Sequence, residues 1–216
     1  MPDALKAFLD SVTAGDDARA EEAALALGNR LAECGWQTSM GEFSRQTLSD
    51  AVLSALRDML ADANPDRRWW AARGLTVLGN RTAQELLITT LADHDPDVRA
   101  CAAQGLGELQ ADQAVPELVR SMADPSPLVS RIAADSLARI GPPAVPALIA
   151  ALQEKETLAR AGAARALSII RIKDIRQPEQ AIPALCAALD DPSAIVTHYA
   201  EEALERMGVG LVLFRP

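Results

Sequence analysis

The chain has 216 residues, of which 49% are hydrophobic but only 3% aromatic, and its formal net charge is −9. A core must therefore be assembled from Ala, Leu, Ile and Val, a composition that favours helices over a sheet sandwich. The negative charge opposes a polyanionic partner, because nucleic-acid binders usually present a basic face.

At the N-terminus, MPDALKAFLD lacks a basic region followed by an apolar core, so no signal peptide is indicated. No apolar run approaches the roughly 18 residues needed to span a bilayer. A cytoplasmic protein without a membrane partner is the expectation. Residues 1–46 read as a capping helical hairpin followed by a loop. Pro2 or Asp3 opens a first helix that ends near Gly15; Asp16 and Asp17 open a second that runs to about Cys34. From Gly35 to Gln46 periodicity is lost, which predicts a loop whose Trp36, Met40 and Phe43 plug the end of a core. Cys34, Cys101 and Cys186 are scattered and odd in number, against a disulfide framework; the latter two sit in apolar helical patterns as reduced thiols.

From Thr47 the pattern becomes regular. One column holds Leu56, Leu87, Leu118, Leu148 and Leu185; a second holds Leu60, Leu91, Met122, Leu152 and Leu189. A third holds Leu75, Leu106, Leu137, Leu167 and Leu204, and a fourth Leu78, Leu109, Ile140, Ile170 and Met207. All four columns advance by the same steps of 31, 31, 30 and 37 residues, which identifies an internal repeat in the solenoid range. Each unit reads as two helices. Pro116, Pro146 and Pro183 fall near the start of the first helix, where a missing N–H costs little. Asn64-Pro65, Asp95-Pro96 and Ser126-Pro127 each supply a capping side chain and a proline to the second. Small residues in the column Gly74, Gly105, Ser136, Ala166 and Ala203 let helices approach closely.

These observations predict an all-α fold, a right-handed α-solenoid of about six antiparallel hairpins in a single continuous domain. Its five repeats are 47–79, 80–110, 111–141, 142–177 and 178–208. The step of 37 places an insertion at Arg171–Gln177, and the apolar tail 209–216 is expected to cover the last repeat face, with docking on another molecule as the alternative.

The stretch Asp93–Leu109 (DHDPDVRACAAQGLGEL) and its echoes resemble HEAT-like repeats of the short form named after phycobilin lyases. The matching residues are Asp93, Val98-Arg99, Ala102-Ala103 and Leu106-Gly107, with the preceding helix at 114–122. The resemblance covers about residues 47–208. It implies that Asp62, Asp93, Asp124, Glu154 and Asp191, with Arg68, Arg99 and Arg160, stitch neighbouring repeats. The ladder is expected to weaken where Ser130 and Thr197 replace the arginine. The resemblance also implies that the second helices line a concave surface.

Positions four apart on one face of the second helices then define the candidate groove. Successive units contribute Trp69, Arg73 and Val77; Ala100, Gln104 and Glu108; Arg131, Asp135 and Arg139; Ala161, Arg165 and Ile169; and His198, Glu202 and Arg206. Trp69 beside arginine suits an interface anchor, whereas Trp70 reads as filling the seam against the N-terminal hairpin. Pairs such as Arg131–Asp135 and Asp135–Arg139 also suit a plain solvated helix face.

No Cys-x-x-Cys motif, phosphate loop or dinucleotide fingerprint is present, and the two histidines, His94 and His198, lie in different units. The His-Glu pairs of iron hydroxylases built on HEAT-like repeats are absent: His94 precedes Asp95 and His198 precedes Tyr199. The expectation is a non-enzymatic scaffold, without cofactor or metal, that binds a protein or peptide as a monomer or weak dimer. A bilin lyase-like or cofactor-chaperone role follows only from the family's name-giving members. A DNA glycosylase-like HEAT enzyme is opposed by the charge, and a generic module serving a partner chain is the remaining reading.

Overall fold

The computed structural model describes residues 3–33, 39–170 and 178–209. All regular structure among them is helical, and the chain divides into two compact units, Met1–Gly105 and Leu106–Pro216.

In the first unit, α1 (Asp3–Ala14) and α2 (Asp17–Glu33) form the expected hairpin. Gly15 makes the turn at φ 69°, a left-handed conformation that glycine adopts without a Cβ penalty. Asp16 Oδ1 accepts the Arg19 N–H at 3.1 Å and so caps α2. The loop expected over 35–46 is replaced from residue 39 onward by helix. Helix α3 runs unbroken from Ser39 to Leu60, across the 46/47 boundary. Gly41 is the only strong helix breaker in that stretch, and its cost of about 1 kcal/mol is small beside the burial of Val52, Leu53, Leu56 and Met59 on the same helix. Trp36 and Cys34, and the side chains of Met40 and Phe43, lie outside the described residues.

Helices α4 (Pro65–Leu78), α5 (Arg81–Thr90) and α6 (Pro96–Glu108) follow, and the division between the two units falls within α6. Helix α4 packs against α1, α2, α3 and α5, around a core of fully buried Leu5, Phe8, Leu56, Leu75 and Leu87. Asn64 caps α4 by accepting the Asp66 N–H, and Asp95 caps α6 by accepting that of Asp97. Ser126, expected to do the same, makes no side-chain cap bond. Its own N–H is held by Asp124 Oδ1 at 2.8 Å, as those of Asn64 and Asp95 are by Asp62 and Asp93, so the acid two residues earlier orders each turn.

The second unit holds α7 (Val115–Ser121), α8 (Pro127–Ile140), α9 (Val145–Ala151), α10 (Thr157–Ile169), α11 (Pro178–Ala188) and α12 (Ala194–Arg206). Short 3-10 turns at Asp112–Ala114 and Pro142–Ala144 lead into α7 and α9, with Pro116 and Pro146 in the first helical turn. At the equivalent place in α11 the turn is itself α-helical, which leaves Pro183 inside the helix rather than near its start. Helix α10 lies against both α8 and α12, so three successive second helices stand side by side. Leu118, Leu137, Leu148, Leu185 and Leu204 are fully buried, as their columns require. The 171–177 insertion and the tail from residue 210 lie outside the described residues.

Close approach between second helices rests on the small column. A Cβ on Gly107 would sit 2.6 Å from the Ser136 side chain and 2.8 Å from its Cα. A Cβ on Gly105 would meet the Thr76 side chain, 2.1 Å from its hydroxyl oxygen. At Gly107, where backbone is met, no larger residue fits without moving a helix.

Two of the acid–arginine pairs that the family resemblance implied join neighbouring repeats, Arg68–Asp93 and Arg160–Asp191, whereas Asp62 pairs with Arg67 of its own repeat. Arg68 donates to both carboxylate oxygens of Asp93, at 2.8 and 2.9 Å, and Arg160 to both of Asp191, at 2.6 and 3.2 Å. Each arginine also donates Nη1 to two carbonyls of its own turn, at Asp62 and Ala63 and at Glu154 and Lys155; Arg99 does so at Asp93 and His94. Burial works to raise the pKa of Asp93, but the Arg68 guanidinium and the Asp95 N–H outweigh it and hold that carboxyl below the usual value. Arg160 likewise depresses Asp191. Where Ser130 stands, its hydroxyl donates to the Met122 carbonyl at 2.6 Å instead, and Thr197 bonds only within its own helix, to Ala194. Glu154, the acid that an arginine at position 130 would have faced, is exposed.

Candidate functional site

In the first unit the paired tryptophans separate into two environments. Trp70 is buried, donates its indole N–H to Asp17 at 3.1 Å and meets Phe8 edge-on, with ring centroids 6.3 Å apart. It fills the seam against the N-terminal hairpin. Trp69 stands perpendicular to Trp70, 4.9 Å between centroids, and stays half-exposed; its carbonyl faces the Cys101 thiol at 3.7 Å. Arg73 is half-buried and Gln104 exposed, but Ala100 is buried and contributes no open surface.

In the second unit, the candidate residues lie on α8, α10 and α12. Asp135 of α8 is their hub. Arg165 of α10 donates Nε and Nη2 to Asp135 Oδ1 at 3.0 and 2.8 Å, and Nη1 to the Tyr199 hydroxyl of α12 at 3.1 Å. The guanidinium lies 5.7 Å from the Tyr199 ring centroid, which adds a cation–π contact. Burial alone would lower the Arg165 pKa, but its bonds to Tyr199 and Asp135 prevail and raise it, so it stays charged. Three adjacent helices are thus tied by one arginine.

Around this link the outer charges are accessible. Arg131 approaches Asp135 only at 3.6 Å and its side chain is 56% exposed. Arg206 donates to Glu202 at 2.7 Å and to the Ser168 carbonyl at 2.9 Å, yet remains 57% exposed. Glu108, Arg139 and His198 are exposed, the last tilted against Tyr199 at 5.4 Å. The structure therefore brings together Arg131, Asp135, Arg165, Glu202 and Arg206, with Arg139 and His198 at the margins. Arg165 and Asp135 hold the surface in place; Arg131, Arg139 and Arg206 face outward from it. Tyr199 was not among the sequence candidates, because its column holds buried Trp70 and Cys101 in other repeats.

Among the described residues, no group of three or more His, Cys, Asp or Glu could hold a metal ion, and no helix is long and apolar enough to cross a membrane.

Stacked helical hairpins joined by repeated acid–arginine ties define an α-solenoid repeat protein. The family model for HEAT repeats matches residues 53–134 and 116–205, and the chain belongs to that family. No match is found among curated protein sequences. Among solved structures, the chain is similar to one of Crescerin, described as using a TOG domain array to regulate microtubules in the primary cilium. That likeness has 18% identity and a TM-score of 0.53, over 72% of this chain and 75% of that one. The complex of CpcE and CpcF of phycocyanin lyase from Nostoc sp. PCC7120 aligns at 25% identity and a TM-score of 0.46, over 94% and 77% of the two chains. A designed armadillo repeat protein in complex with the peptide (KR)4 aligns at 17% identity and a TM-score of 0.45, over 93% and 98%. These are likenesses of fold.

Proposed function

We propose that the chain is a non-enzymatic scaffold that receives a protein or peptide segment on the second-helix face formed by α8, α10 and α12. The observation that carries this reading is the Asp135–Arg165–Tyr199 link. It fixes a polar surface across three repeats, so a ligand meets side chains whose ordering is already complete. Arg131, Arg139 and Arg206 stand outside the link and supply donors suited to carboxylates or backbone carbonyls. In the first unit, half-exposed Trp69 is the matching anchor candidate.

The test is selection of ligands from a random peptide library on the wild-type protein, followed by titration on Arg131→Glu/Arg139→Glu. Both side chains are exposed, so the variant folds. The reading expects selected peptides to lose at least about tenfold in affinity, the equivalent of about 1.4 kcal/mol. Peptides that bind the variant equally well would place the site elsewhere; no enrichment at all would count against a peptide-binding scaffold.

A further inference from the structure

Three large apolar side chains stand open to solvent at one repeat position of the second unit. Leu128, Leu158 and Ile195 are 39%, 49% and 60% exposed. Their spacings of 30 and 37 residues match the repeat steps, so they occupy the same second place in α8, α10 and α12. The corresponding residues in the first unit are Asp66 and Asp97, both exposed. Packing of the solenoid does not call for an apolar residue here, since two repeats manage with aspartate. Burying Leu128, Leu158 or Ile195 is left for something other than the fold.

The charges beside the stripe are mixed: exposed Glu154 and Glu156 precede Leu158, and the cation beside it on the open face of these helices is Arg131. Arg131 lies one turn along α8 from Leu128, and His198 one turn along α12 from Ile195. Asp135, the carboxylate paired with Arg131, is already engaged twice by Arg165, which leaves Arg131 only a 3.6 Å approach to it.

We propose that the stripe Leu128–Leu158–Ile195 seats one amphipathic helix of a partner, with an acidic residue of that helix set against Arg131 at the α8 end. This deepens the scaffold reading and rests on it. Geometry favours a helix over an extended segment. Packed helices lie about 8–10 Å apart, and a seven-residue helical step advances about 10.5 Å while returning to the same face. In an extended chain about three residues span that gap, and an odd step turns alternate side chains away from the surface. Three half-exposed aliphatic side chains also supply far less than the roughly 800 Å² per partner of a standard stable interface, which suits a short segment rather than a second copy of this chain.

The probe is a fluorescein-labelled, alanine-based helix of about 18 residues, with leucines seven apart and glutamates beside them. Fluorescence anisotropy is expected to show saturable binding that weakens about tenfold in Leu158→Gln, the central anchor. Lysine in place of glutamate should weaken binding to wild type and restore it with Arg131→Glu, an exchange that a merely structural role would not produce. Equal binding of a probe without leucines, or no change in Leu158→Gln, would overturn the proposal. So would a wild-type dimer in sedimentation that Leu158→Gln dissociates, or a single-stranded oligonucleotide outcompeting the acidic helix. The library selection separates the two levels. Peptides sensitive to Arg131→Glu/Arg139→Glu but indifferent to Leu158→Gln remove only this inference; absence of any face-dependent peptide removes both.

Discussion

Arg68 and Asp93 stand 25 residues apart and are joined by two hydrogen bonds, at 2.8 and 2.9 Å, with both side chains about one-eighth exposed. The pair ties the turn of one repeat to the turn of the next, and its residues are shared down the chain. It is therefore a stability device, and its predictions concern folding.

Replacing Arg68 with Met should remove both bonds and leave the largely buried Asp93 carboxylate without the guanidinium. A loss of about 2–3 kcal/mol in urea unfolding is expected, with Arg68→Lys falling between because lysine cannot reproduce the planar fork. Unaltered unfolding in Arg68→Met would show that the pair is not stabilising.

Asp62, Asp93 and Asp191 all have carboxyl pKa values below the ordinary 3.8 in the folded chain. Between the folded and unfolded values the unfolded state binds more protons, so stability rises with pH there. The contribution is complete above roughly pH 5 and is lost as pH falls through the folded values. Acid unfolding followed by circular dichroism should begin below about pH 4, and Arg68→Met should make its dependence on pH shallower.

Gly107→Ala should destabilise despite alanine's better helix propensity. Its Cβ would meet both side chain and backbone of Ser136, which a rotamer change cannot relieve. A net cost of about 1–2 kcal/mol by thermal unfolding is expected, against a gain of about 1 kcal/mol if the helices moved apart freely.

The Asp135–Arg165 pair is about a quarter exposed on each side, so its direct contribution is modest. A double-mutant cycle with Asp135→Ala and Arg165→Ala should give a coupling of about 0.5–1 kcal/mol. Zero coupling would mean that the surface on α8, α10 and α12 is not held in place by this link.

Much of the architecture was legible because it repeats. Leu56, Leu87, Leu118, Leu148 and Leu185 share a column and are all fully buried, so periodicity alone located one core-facing position in every repeat. Gln46 and its neighbours were misread as loop because Gly41 and a break in apolar spacing masked a helix that begins at Ser39. The site was less legible. Spacing within α8 suggested that Asp135 would pair with Arg131 and Arg139 on its own helix. Its closest cation is instead Arg165, on the neighbouring helix, and the reach between helices is not written in the spacing of either. The Leu128–Leu158–Ile195 stripe was visible as a column, but only its exposure distinguishes it from core.

The central claim is that α8, α10 and α12 present the binding face of this chain. It is tested most directly by amide chemical-shift mapping of the labelled protein against a library-selected peptide. The account predicts that the perturbed residues fall on those helices, around Arg131, Arg165, His198 and Arg206. Perturbations confined to α7, α9 and α11, the first helices of the same repeats, would contradict it.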